Sequence, residues 1–168
     1  MSKDQFLVIN GWSIFAHPLF LQQLEEFKIT VENLRIKYPQ DYKKKNPTKI
    51  LAAIIKFAFE VIPDDPTHQK YRQGNTLGED YKHWFRAKFF QQYRLFFRYH
   101  QESKIIIFAW VNDSKSKRAY NSKKDAYEVF KKMLKSGYHP DNWNDLLQEA
   151  KNENNRLEKI IKTLPYRS

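Results

Sequence analysis

Hydrophobic and polar positions change rhythm several times along the chain, and each rhythm predicts an element. Residues 6–15, FLVINGWSIF, alternate loosely and are rich in aromatic and β-branched side chains. They predict a strand or extended lead-in interrupted at Gly11, and His17-Pro18 then breaks it. From Leu19 to Tyr38 the spacing is helical. Phe20, Leu24, Phe27, Val31, Leu34 and Tyr38 recur at three and four, one stripe of an amphipathic helix that Pro39 ends. After the polar link QDYKKK, Asn46-Pro47 starts a second helix, because Pro fits the first turn. Ile50, Leu51, Ile54, Ile55, Ala58 and Ile62 extend its stripe to Pro63. These two helices predict an antiparallel hairpin. Residues 63–80, PDDPTHQKYRQGNTLGED, are the longest loop signal.

The period then drops to two. Trp84, Arg86 and Lys88 fall on one face of a strand, with Phe85, Ala87 and Phe89 on the other. In the next strand Arg94, Phe96 and Arg98 oppose Tyr93, Leu95, Phe97 and Tyr99. Residues 104–112, KIIIFAWVN, form an unbroken apolar run, as a central strand buried on both faces does. The short links between these runs predict antiparallel hairpins, but neither holds an Asn-Gly, so their register stays open. Beyond the polar stretch DSKSKRAYNSKK, Ser122 is a helix cap with Asp125 three residues on. Ala126, Val129, Phe130 and Met133 mark the buried side, and Gly137 the stop. Asp141 is then read as the cap of a last helix bearing Trp143, Leu146, Leu147 and Ala150. Helices followed by strands followed by helices predict an α+β fold: a helical hairpin on a small twisted antiparallel sheet, then C-terminal helices. One domain is expected over residues 1–150. Residues 151–168 form a polar extension with sparse helical spacing.

Composition sharpens this picture. Hydrophobic residues make up 41% of 168, enough for a core, and the 13 Phe, 10 Tyr and 4 Trp exceed what one small core absorbs. Thirty Lys and Arg against 19 Asp and Glu leave a formal charge of +11. Such an excess seeks nucleic acid, an anionic membrane or an acidic protein. The absence of cysteine excludes disulfides, thiolate catalysis and cysteine-based zinc sites. No apolar run approaches the roughly 18 residues of a membrane span, and residues 1–12 lack a signal-peptide core. A soluble cytoplasmic protein with no membrane partner is expected.

The sharpest chemical feature is the cation pattern on the two alternating strands. If they pair, Arg86, Lys88, Arg94 and Arg98 converge, which is costly unless an anion or water shell sits among them. No Asp or Glu lies in residues 81–101 to neutralise them. Phosphate is the natural anion, since guanidinium grips it through two hydrogen bonds. Trp84 and Phe96 share those faces and are candidates for stacking a base. The bland alternative is a solvated sheet face. A second basic cluster, Lys115, Lys117, Arg118, Lys123 and Lys124 around Tyr120, reads either as a solvated loop or as another wall of an RNA groove. His83 and His100 flank the basic strands as candidate acid–base or RNA-binding groups. The five histidines show no metal-ligand spacing, and Asp64-Asp65 and Glu79-Asp80 read as loop carboxylates. No metal or other cofactor is predicted.

Several segments together resemble one family. They are Ile9-Asn10-Gly11-Trp12 through Ala16-His17-Pro18, Trp84 to Phe89, Tyr93 to Tyr99, Ala109 to Asp113, Arg118-Ala119-Tyr120, Asp125 to Phe130 and Met133-Leu134. In this order they resemble YhaV-family toxins, over about residues 9–147. The resemblance implies a RelE-like fold, an mRNA endonuclease of a type II toxin–antitoxin system, and association with translating ribosomes. It also implies a PrlF-like antitoxin, a swapped-hairpin DNA-binding protein through which alone operator DNA is met. RelE-like enzymes place Arg, Lys and Tyr on the sheet face. This maps to Arg86, Lys88, Arg94, Arg98, Arg118 and Tyr120 as catalytic candidates. Trp84, His83, Phe96, His100, Lys115, Lys117 and Lys123 are the RNA-binding candidates. The expected chemistry is metal-independent attack of a ribose 2′-hydroxyl on its own phosphate. The rival is a non-catalytic RNA- or ribosome-binding module with the same basic face.

Overall fold

A computed structural model of the chain describes residues 6–112 and 125–164. The fold is α+β. A hairpin of β1 (Leu7–Ile9) and β2 (Trp12–Ala16) opens the chain, followed by α1 (Pro18–Lys37) and α2 (Asn46–Lys56). A π-helical turn, Phe57–Val61, and the short α3 (Ile62–Asp64) extend α2. Strands β3 (Phe85–Phe89), β4 (Tyr93–His100) and β5 (Ile105–Val111) follow, then α4 (Asp125–Ser136), α5 (Trp143–Asn152) and α6 (Asn154–Lys162).

The sheet has five strands in the order β1-β2-β5-β4-β3. Two expectations are corrected here. The N-terminal segment is a full hairpin, because Asn10 and Gly11 both take positive φ (51° and 82°), the pattern of a type I′ turn. The sheet is mixed rather than antiparallel, because β2 pairs parallel with β5. That parallel pair spans α1 to β4 in sequence, so no local rhythm announces it. The apolar run of β5 does take the middle of the sheet, as its composition requires.

Side chains from both sheet faces are buried. On one face Phe20, Leu24 and Val31 of α1 and Leu51 and Ile54 of α2 pack against Ile14, Leu95, Phe97, Ile106 and Phe108. Leu157 and Ile160 of α6 join that same core, at 1% and 3% exposure. On the other face Phe130, Leu134, Leu146 and Ala150 of α4 and α5 cover Phe15, Trp84, Phe96, Ile107 and Trp110. The basic face of β3 and β4 is therefore partly roofed by the C-terminal helices.

Local devices lock these layers. Phe96 pairs with Trp110 but Phe97 with Phe108, so Ala109 forms a β-bulge. The Ala109 carbonyl accepts 2.7 Å from Nε2 of the fully buried His139. The His139 ring lies 4.4 Å from that of His17. His17 caps α1, its Nδ1 accepting from Leu19 N–H, and its Nε2 lies 3.0 Å from Glu149 of α5. Burial pushes His17 down to about 4 and His139 to about 3. Gly137, at φ 82°, ends α4 as the sequence predicts. The predicted cap Ser122 lies outside the described residues. The cap of α5 is Asn142, whose side chain accepts from Asp145 N–H, and not Asp141.

Candidate active site

Pairing sets the cations of β3 against those of β4. Arg86 lies opposite Phe96 and Lys88 directly opposite Arg94, all on the face turned to α4. Like charges directly opposed on a sheet repel. Tyr127, in the first turn of α4, reaches down to this point. Its phenol oxygen accepts from Arg86 Nε at 3.0 Å and from Arg94 Nε at 3.2 Å. Two guanidinium groups therefore share one neutral oxygen. Two like charges drawn to one oxygen repel each other. Among the described residues no carboxylate pairs with Arg86, Lys88 or Arg94.

The backbone holds this cluster rigid. Arg86, only 8% exposed, donates through Nη1 to the Lys70 carbonyl of the loop beside β3. Arg94 Nη1 donates to the carbonyls of Gln91 and Tyr93. Those bonds brace the β3–β4 turn, where Phe90 and Gln91 take positive φ of 47° and 62° without a glycine. Asn112 accepts from Arg94 N–H at 2.6 Å and donates to the Gln92 carbonyl. To the described residues each arginine thus commits Nε and Nη1. Lys88 is exposed and Arg94 half-buried, so the cluster opens on their side.

Arg98 does not join this group, which corrects the expectation of four converging cations. Its guanidinium lies between the rings of Trp84 and Trp143, 5.4 and 5.3 Å from their centroids. Its Nη1 donates to the Asp141 carbonyl at 2.6 Å. Burial lowers its pKa. The Asp141 carboxylate also accepts from His83 Nε2 at 2.6 Å and Trp84 Nε1 at 2.8 Å. The phenyl ring of Phe96, between the two groups, is covered by Phe130 at 4.3 Å and drives the separation. Stacking of a base on Trp84 or Phe96 is closed off, since both are 0% exposed. His83 is half-exposed and His100 exposed, and both lie at the Arg98 end of the face. Arg118, Tyr120, Lys115, Lys117 and Lys123 lie outside the described residues. Among the described residues no cluster of three or more His, Asp or Glu is arranged to hold a metal ion.

Tyr127, Asp141 and Trp143 are the partners that sequence reasoning did not assign. A signal for Tyr127 existed: Tyr127, Phe130 and Leu134 stand at i, i+3 and i+7 on the buried side of α4. For Asp141 no local signal exists, because its partners lie 57 and 58 residues away.

Cations held on a sheet face with no carboxylate paired to them among the described residues are what a protein acting on a phosphate-bearing polymer needs. Comparison with known sequences makes this specific. The YhaV toxin family, described as "Toxin with endonuclease activity, of toxin-antitoxin system", matches residues 14–151, and the chain belongs to that family. It is 43% identical over 144 residues to "Toxin YhaV" of Escherichia coli O6:H1. It is 42% identical over 144 residues to "Ribonuclease toxin YhaV" of Escherichia coli K12. Each alignment covers 84% of this chain and 94% of the relative. No solved structure matches the chain. The endonuclease description favours an enzyme over the non-catalytic binding module.

Proposed function

We propose that this toxin is an endoribonuclease that cleaves mRNA by metal-independent transesterification and so stops translation. The 2′-oxygen bonds to the adjacent phosphorus, the P–O5′ bond breaks, and the products are a cyclic phosphate and a 5′-hydroxyl. A general base takes the proton of the 2′-hydroxyl, and a general acid gives one to the 5′-oxygen. The observation that supports this most is the sharing of the Tyr127 oxygen by Arg86 and Arg94, with Lys88 opposite Arg94. A site that holds mutually repelling donors in advance is suited to the charge that builds on a phosphorane.

In this reading the Nη2 groups of Arg86 and Arg94, with Lys88, face the phosphate oxygens. The Tyr127 oxygen already accepts two hydrogen bonds, so its O–H serves as a donor, and we assign it to the departing 5′-oxygen. Arg118 and Tyr120 complete the site. Arg98 is reassigned from catalysis to substrate binding, and His83 and His100 stand with it.

The finer identity rests on family membership. We read the fold as RelE-like, the substrate as mRNA on translating ribosomes and the location as the bacterial cytoplasm. The partner is read as a PrlF-like antitoxin, through which operator DNA is met. The test is purified toxin with RNA in EDTA, with and without translating ribosomes, its cut ends mapped by primer extension. Wild-type cleavage that Arg86→Ala abolishes supports the reading. Cleavage that fails in EDTA and returns with Mg²⁺ overturns it.

A further inference from the structure

The Arg98 end of the basic face is built as a column of flat groups. Trp84 forms its buried base, fixed by the bond from its indole N–H to Asp141. Arg98 lies on that ring, and Trp143 lies on Arg98. The imidazole of His100 stacks on Trp143, with centroids 5.6 Å apart and planes at 27°. Trp84, Arg98 and His100 are each held by a bond outside the stack, and Trp143 by its place at the start of α5. Arg98 is bonded to the Asp141 carbonyl, and His83 grips the Asp141 side chain. The His100 Nδ1 is held by Ser103, 2.7 Å from its hydroxyl and 3.2 Å from its N–H. The column is thus ordered from the core outward, and its last layer, His100, is exposed.

An exposed, pre-ordered ring has already lost the rotamer freedom that stacking would otherwise remove. Such rings on a basic surface bind unpaired bases, whose faces stack whatever their sequence. His100 stands six residues along β4 from Arg94, about 20 Å at roughly 3.3 Å per residue. A single strand whose phosphate is held at Arg86 and Arg94 can reach that far along the same sheet face.

We propose that His100, supported by Trp143 and Arg98, is a stacking subsite for an unpaired nucleobase of the RNA flanking the cleaved bond. This rests on the ribonuclease reading and names how that enzyme holds single-stranded substrate. The subsite reads a base face and not a phosphate. It therefore affects affinity without affecting the salt dependence that phosphate contacts set.

The probe is a single-stranded oligoribonucleotide made uncleavable by 2′-O-methyl groups, with binding read by fluorescence anisotropy. Cleavage of the unmodified strand is followed in parallel. His100→Ala is expected to weaken binding about five- to tenfold and raise KM by a like factor, with kcat and the salt slope unchanged. His100→Phe keeps a flat ring and is expected to restore binding. Wild-type affinity in His100→Ala overturns the subsite, as does a loss that His100→Phe fails to restore. A fall in the salt slope also overturns it, because it marks a phosphate contact. Arg86→Ala run alongside separates the two ideas. If the wild type binds and cleaves and Arg86→Ala does not cleave, an unaffected His100→Ala removes the subsite alone. If the wild type neither binds nor cleaves RNA, the ribonuclease reading falls and takes the subsite with it.

Discussion

Replacing Tyr127 by Phe removes one oxygen and leaves two guanidinium groups without their common acceptor. Arg86 Nε and Arg94 Nε lie 3.0 and 3.2 Å from that oxygen. A hydrogen bond to a charged group contributes about 1.5–3 kcal/mol to stability. Water reaches the half-buried Arg94 and replaces part of its loss, whereas Arg86, at 8% exposure, is left largely unsatisfied. The expected cost is therefore about 2–3 kcal/mol. For a chain of 168 residues this is a fall in Tm of roughly 5–10 °C. The same change deletes the O–H assigned to the leaving 5′-oxygen, and loss of a positioned proton donor slows a reaction by about 10²–10⁴. Thermal unfolding followed by circular dichroism gives the first number. Single-turnover cleavage of a synthetic RNA, well below the variant's Tm, gives the second. An unchanged Tm refutes the brace. A lower Tm with undiminished cleavage leaves Tyr127 a brace only and removes it from the chemistry.

Three further outcomes follow from other parts of the fold. His17 and His139 are pushed by burial to about 4 and about 3, against an ordinary value of 6.5. Below pH 6.5 the unfolded chain binds protons that the folded rings refuse, so stability is full above that pH and falls on acidification. The fall is at most about 1.4 kcal/mol per pH unit for each ring, until its folded value is reached. Urea unfolding at pH 7 and pH 5 measures it, and equal midpoints contradict it. Gln23, 8% exposed, accepts from Val111 N–H and donates to the Val111 carbonyl. Gln23→Leu strands both groups and is expected to destabilise by about 2–4 kcal/mol in urea unfolding while cleavage by the folded fraction is kept. Gly11→Ala, at φ 82° in the β1–β2 turn, is expected to cost about 1 kcal/mol in the same assay.

How much of this was legible depended on whether the cause was local. The stripe of α1 was legible because burial repeats with its period, and β3 and β4 because residue type alternates along them although both their faces are covered. Phe20, Leu24 and Val31 are buried, and so are Leu95 and Phe97, one face apart from Phe96. The apolar run of β5 announced its central place for the same reason. The Asn10-Gly11 turn was readable too, yet the short β1 beside it looked like a lead-in. The parallel pairing of β2 with β5 was not readable, since it is fixed by everything packed between them. Period two told that Arg86 and Lys88 share one face of β3 and Arg94 and Arg98 one face of β4, but the register that sets Lys88 opposite Arg94 came only with the structure. So did the diversion of Arg98, because its partners Asp141 and Trp143 arrive from the far side of α4. Residue type foretold cations on this face. Only packing decided which of them share an oxygen and which is locked between indoles.

The central claim is that Arg86 and its neighbours stabilise a phosphodiester while its own sugar hydroxyl breaks it. The most direct measurement is cleavage of a defined RNA in EDTA by folded wild-type protein and by Arg86→Ala at equal concentration, with both product ends identified. The account predicts a cyclic phosphate and a 5′-hydroxyl from the wild type, and a rate lower by about 10²–10³ in the variant. Undiminished cleavage by Arg86→Ala, or wild-type products ending in a 5′-phosphate, would contradict it.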